Sequence, residues 1–210
     1  ASYGTAFKAP TLYQLYIPYY GNTNLLPETA RKREVRLGWE RDDQTAAFTY
    51  YRNNVSNLID YVTLDPVTFS GEYENVQQAT LQGVTLSYSG RFGDWRLRGS
   101  YDWLDAVDDT TGMRLGRRAH NKVTAGVSRI WGPLEGGVDV VAVGSRFNDD
   151  NQTATLGGYT LVNLTARYAL SKSLSLQASI NNLFDKRYEL AQGYGTLGVS
   201  AFVGIRYTMQ

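Results

Sequence analysis

Apolar and polar residues alternate along most of this chain with a period of two. Val35, Leu37 and Trp39 are interleaved with Glu34, Arg36, Gly38 and Glu40, and Trp95, Leu97, Gly99, Tyr101 and Trp103 with Arg96, Arg98, Ser100 and Asp102. Leu174, Leu176, Ala178 and Ile180 alternate in the same way with Ser175, Gln177, Ser179 and Asn181. Successive side chains of a strand point to opposite faces, so each run predicts a strand with one apolar and one polar side. Ten such strands are predicted, from Ser2–Phe7 to the closing run Ser200–Met209. Short turns at Asp42-Asp43-Gln44, Gly93-Asp94, Gly132-Pro133 and Leu170-Ser171-Lys172 alternate strictly with long connections. Those connections are predicted at Lys8–Ala30, Thr63–Glu72, Asp108–Arg118, Asn148–Gly157 and Glu189–Val199. All short turns therefore fall at one end of an antiparallel meander and all long loops at the other, the asymmetry of membrane β-barrels.

The aromatic residues favour a membrane barrel over a soluble one. Trp39, Trp95, Trp131, Phe92 and Tyr168 sit within a few residues of short turns. Amphipathic rings at strand ends match an interfacial girdle, whereas a soluble core places its Trp at mid-strand. Arg36, Arg96, Arg98, Arg167 and Arg206 lie on the polar face among Ser and Thr, as in a wet or plugged lumen. The expected fold is thus all-β, an antiparallel up-and-down transmembrane β-barrel portion of about ten strands. Val35, Leu86, Leu97, Val140, Leu164, Leu176 and Ile205 belong on its outer face. A soluble two-sheet sandwich is the alternative, with the aliphatic faces meeting and the arginines in solvent.

Composition narrows the function classes. With 21 basic and 20 acidic residues the net charge is +1, which gives no electrostatic case for nucleic acid. The absence of Cys removes disulfides, thiolate metal sites and cysteine nucleophiles, and a single His removes a His cluster for zinc. Sixteen Tyr and 21 Gly suit interfacial strands and tight corners. The chain starts at Ala1 without a charged or apolar leader, so an export signal is expected outside it.

Several runs resemble a known family. Tyr3-Gly4-Thr5-Ala6-Phe7-Lys8-Ala9-Pro10-Thr11-Leu12, the run Tyr51-Arg52-Asn53-Asn54-Val55-Ser56-Asn57-Leu58-Ile59-Asp60-Tyr61, Leu115-Gly116-Arg117-Arg118-Ala119, Gly144-Ser145-Arg146-Phe147 and Asn182-Leu183-Phe184-Asp185 are similar to segments of TonB-dependent outer-membrane receptors. The run over 51–61, the Arg117-Arg118-Ala119 triplet and the Gly193-Tyr194-Gly195-Thr196 loop look most like the branch that takes up cobalamin (vitamin B12). Such receptors have a plug domain, a TonB box and 22 barrel strands. The resemblance therefore implies that residues 1–210 are the C-terminal part of the barrel, with the plug absent, and that this portion alone performs no energised uptake.

It further implies a location in the bacterial outer membrane among lipid and lipopolysaccharide, and TonB as a partner only through the missing N-terminal part. The ligand would be cobalamin or another large chelate, with a ferric siderophore or haem as the alternative. Arg117, Tyr194 and Arg146 are the expected ligand-binding residues. Arg117 stands at the end of a long loop, Tyr194 in a Gly-flanked one, and Arg146 also reads as a charge at a loop base. Asp108-Asp109 and Asp149-Asp150 look like hard-cation ligands but lack calcium-loop spacing, and the simpler reading is that they solvate exposed turns. No cofactor, metal site or catalytic residue is expected. A self-contained ten-stranded barrel enzyme would need clustered acids and a His at the mouth, and His120 stands alone.

Overall fold

The computed structural model of the protein describes residues 1–65 and 70–209. Its elements, in chain order, are β1 (Ser2–Lys8), α1 (Leu12–Tyr16), β2 (Glu28–Arg41), β3 (Gln44–Asp65), β4 (Ser70–Phe92), β5 (Trp95–Asp108), β6 (Asn121–Trp131) and β7 (Leu134–Val143). There follow β8 (Arg146–Phe147), β9 (Thr155–Leu156), β10 (Tyr159–Ala169), β11 (Leu174–Asn181), β12 (Glu189–Ala191), β13 (Tyr194–Gly195) and β14 (Ser200–Tyr207). Ten strands form one antiparallel meander in the order β1-β2-β3-β4-β5-β6-β7-β10-β11-β14. β8 pairs with β9 and β12 with β13 inside the long loops. The main sheet is open, with β1 and β14 as its edges.

Cross-strand rows keep the two faces apart. Trp131, Leu134, Tyr168, Leu176 and Ile205 are successive partners along one row. Leu97, Val127, Val138, Leu164 and Ile180 follow along another. Val35, Leu86, Leu97, Leu176 and Ile205 are exposed, as are the ring-bearing residues beside the short turns, Trp39, Phe92, Trp95, Trp131 and Tyr168. An apolar band bounded by aromatic rings is what a sheet facing hydrocarbon presents.

The opposite face is polar and self-paired. Arg98 Nη2 donates to Asp139 Oδ1 at 2.5 Å and Arg96 Nη1 to Glu135 Oε1 at 2.8 Å, so both pairs reach from β5 to β7 over the intervening β6. Gly126 lies beneath the first pair, where a Cβ would collide with Asp139 Oδ1 and stand 2.7 Å from Arg98 Nε. These residues, with Thr165, Arg167 and Gln177, line a trough of about 810 Å³.

Two connections differ from expectation. The stretch Thr63–Glu72 is mostly ladder: Thr63 pairs with Gly71 and Asp65 with Ser70, and only the tip at 66–69 lies outside the described residues. The run loses its alternation because β3 and β4, 22 and 23 residues long, rise beyond the apolar band, where backbone hydrogen bonds hold the hairpin whichever way polarity falls. The segment Lys8–Ala30 is also shorter than a free loop, since Lys8 belongs to β1 and Glu28–Ala30 to β2. Within it Thr11 and Gln14 form a capping box for α1: Gln14 N donates to Thr11 Oγ1 and Thr11 N to Gln14 Oε1. The segment docks on the long hairpin through edge-to-face Tyr13–Tyr73 and Tyr20–Tyr61 pairs, and Leu26 N donates to Asn75 Oδ1 at 2.8 Å.

Candidate ligand-binding mouth

Above the trough the long loops fold inward. Leu104 and Ala106 share the face of Arg98 by strand alternation, and Leu115 packs with Ala106, Val55, Leu58 and Ala79 in a small apolar core. Leu115 is 2% exposed and Ala79 fully buried, so the loop between β5 and β6 is held down by hydrophobic contact.

That loop is tied to the next by hydrogen bonds. Arg117 adopts φ 57°, its N–H donates to the Phe147 carbonyl at 2.7 Å, and its Nε donates to the Asn148 carbonyl at 3.1 Å. Gly116 N–H donates to Asp150 Oδ1. A side chain at 116 has no room, since a Cβ would lie 2.8 Å from the Asp149 backbone. The third loop joins at Asn148, whose Oδ1 accepts from Gln192 N at 2.9 Å, two residues before Tyr194. Tyr194 itself projects outward, 76% exposed, from the β12–β13 hairpin. The structure thus brings the loops of Arg117 and Tyr194 to one residue, Asn148, that sequence reasoning missed. Its contacts lie 31 and 44 positions away along the chain, so no local signal marked it.

Arg146 occupies a different place. It is 7% exposed, donates from Nη2 to the Glu189 carbonyl at 2.8 Å, and lies over the Tyr159 ring at 5.7 Å. Tyr159 in turn stacks on Tyr188, ring centroids 4.1 Å apart. Arg146 therefore anchors the start of the β12–β13 hairpin from below, while Arg117 and Tyr194 are the exposed groups.

The paired acids cap loops. Asp149 Oδ2 accepts from Thr153 Oγ1, Asp108 Oδ1 from Thr110 N, and Asp109 Oδ2 from Thr80 Oγ1. Asp150 also shares a hydrogen bond with Asp60, on the part of β3 beyond the membrane. Burial, with the Asp150 charge beside it, pushes the Asp60 carboxyl up to about 6, against an ordinary value of 3.8. A carboxyl raised in the folded state adds stability that is complete below its unfolded pKa and is lost as pH rises through the folded one. The junction of β3 with the 144–158 loop should therefore be tightest near pH 4 and loosen through pH 6. The expected result is that hydrogen-exchange protection of the Gly116 amide falls between about pH 5 and pH 7, and that Asp60→Asn removes the fall. Protection in the parent protein that is constant across this window would refute the assignment.

His120 Nε2 accepts from Trp103 Nε1 at 2.8 Å, with the rings edge to face. The imidazole is thus engaged by an indole rather than by a carboxylate.

The family model described as TonB dependent receptor-like, beta-barrel matches residues 1–183. The chain belongs to this family of receptor β-barrels. The receptor barrel is 32% identical over 209 residues to the vitamin B12 transporter BtuB of Photobacterium profundum, covering 99% of this chain and 34% of that protein. Among solved structures it is similar to the copper transporter OprC, with a TM-score of 0.82 at 19% identity over 98% of this chain and 35% of that one. The ferric enterobactin receptor PfeA of Pseudomonas aeruginosa, as the G324V mutant, gives 0.77 at 21% identity over 98% and 37%. The chain spans about a third of the length of these relatives. The family consists of bacterial outer-membrane receptors and transporters, not enzymes, so the apolar face of the receptor barrel meets lipid and its short turns point to the periplasm.

Proposed function

We propose that residues 1–210 supply a C-terminal barrel portion to a TonB-dependent receptor that takes up cobalamin, with coupling to TonB made by a plug and TonB box in another part of that receptor. The observation that carries the ligand assignment is the 32% identity, along almost the whole chain, to a protein named as a vitamin B12 transporter. The mouth supports it chemically. Arg117 offers donors for amide or phosphate oxygens, and Tyr194 offers a flat apolar ring with one polar end, a pairing that suits a large amphipathic chelate. Arg146 contributes from beneath, by fixing the Glu189 carbonyl and with it the hairpin that carries Tyr194.

Titration of the full receptor with cobalamin and, in parallel, with a ferric siderophore tests this reading. Arg117→Ala and Tyr194→Ala should each weaken cobalamin binding by about 1–2 kcal/mol, because a hydrogen bond to a charged group is worth roughly 1.5–3 kcal/mol and water recovers part of it. Siderophore binding without cobalamin binding would transfer the assignment to the siderophore branch. Unchanged cobalamin affinity in both variants would remove these two side chains from the site.

A further inference from the structure

The lipid-facing surface carries one cation in an unusual setting. Trp95, Arg129, Gly136, Ala166, Ala178 and Val203 are successive cross-strand partners, so Arg129 stands on the same face as the exposed Trp rings. Its guanidinium lies 5.0 Å from the Trp95 ring and 5.4 Å from the Trp131 ring. The Arg129 side chain takes part in no ion pair or hydrogen bond among the described residues, and its Nε is buried without a partner. The arginines of the opposite face provide the contrast, since Arg96 and Arg98 are each matched by a carboxylate. Beside Arg129 opens an apolar groove of about 550 Å³, floored by Gly136, Ala166 and Ala178 and walled by Trp131, Val138, Leu164 and Ile180.

We propose that this is a binding site for one glycerophospholipid of the periplasmic leaflet, its phosphate on Arg129 and one acyl chain in the groove. The charge demands an anion, because an arginine facing lipid is tolerated only where a counter-charge or water reaches it. The position selects the leaflet: Arg129 is two residues from Trp131, which pairs with Leu134 across the short periplasmic turn. Lipopolysaccharide lies in the other leaflet, beyond reach. The two indoles hold the guanidinium plane by cation–π contact while leaving its Nη N–H groups to fork onto phosphate oxygens. The groove runs from Arg129 toward Val138, Leu164 and Ile180, away from the turn, which is the direction an acyl chain takes from its headgroup.

Native mass spectrometry of the full receptor, delipidated in detergent and titrated with phosphatidylglycerol, tests the site. One phosphatidylglycerol should bind tightly, and Arg129→Gln should weaken it about tenfold, the loss expected for one charge-assisted hydrogen bond. Ala178→Leu, which fills the groove and leaves Arg129 in place, should weaken binding comparably, and a diacylglycerol without phosphate should not occupy the site. Heat-dependent gel mobility confirms that each variant is folded, and Arg129→Lys, which keeps the charge but not the fork, should fall between parent and Arg129→Gln. Parent-like binding by both Arg129→Gln and Ala178→Leu, equal binding of diacylglycerol, or displacement of the lipid by inorganic phosphate at equal concentration would each overturn the proposal. Cobalamin titration of the same variants should be unchanged, which separates this site from the one at the mouth.

Discussion

Replacing Asn182 by alanine is expected to destabilise the receptor by about 2–4 kcal/mol in urea unfolding. Asn182 opens the Asn-Leu-Phe-Asp run and adopts φ 52°, a left-handed conformation that costs an alanine roughly 1–2 kcal/mol. It is buried, its Oδ1 accepts from Lys186 N at 2.8 Å, and its Nδ2 donates to the Lys186 carbonyl at 3.0 Å. Three residues on, Asp185 Oδ1 accepts from Val199 N at 2.9 Å and so closes the base of the last long loop. The run is thus a folded clasp that sets the direction in which the chain leaves β11. Asn182→Gly restores the backbone freedom without the side-chain bonds and should recover about 1 kcal/mol. Equal stability of all three proteins would show that the clasp contributes nothing.

The faces of the sheet could be read from the sequence because a period of two has only two solutions, and the aromatics at the short turns chose between them. Val35, Leu97 and Ile205 are exposed on the apolar side as expected, and the chain's ten alternating runs are the ten strands of the main sheet. Alternation fails above the membrane, where loops and water rather than lipid and lumen meet the two faces, and there the top of the β3–β4 hairpin reads as a loop. The helix at Leu12–Tyr16 did have a local signal, the Thr11–Gln14 box, obscured by the prolines on either side of it. At the mouth, the family resemblance drew attention to Arg117 and Tyr194 but could not reveal that Asn148 joins their loops. The opposition of Asp60 to Asp150 was equally hidden, because it depends on two segments 90 positions apart meeting in space.

Leu115→Asp is expected to cost more affinity for cobalamin than removal of either exposed side chain, about 3 kcal/mol or more against 1–2. A carboxylate at a site 2% exposed and packed among Val55, Leu58, Ala79 and Ala106 loses its hydration there, so the loop leaves its seat instead of burying the charge. Arg117 is two residues away and would go with it, releasing the Phe147 and Asn148 carbonyls and loosening the neighbouring loop. Leu115→Met, which keeps volume and polarity, should cost less than about 1.5 kcal/mol. Titration of the full receptor with both variants is the measurement. Parent-like affinity in Leu115→Asp would mean that the roof over the trough is not what holds the ligand site together.

The ion pair that passes over Gly126 has a mechanical corollary. A strand that slips by one residue turns its apolar face inward, so the slip that must be resisted is one of two residues, which preserves polarity. For β6 such a slip would carry Thr124 or Ser128 into the place of Gly126, where even a Cβ meets Asp139 and Arg98. The pair itself is solvated and holds β5 and β7 together only weakly. As a key in a slot, however, it indexes the middle strand: one position along β6 lacks a side chain, and the wall locks where that gap lies under the bridge.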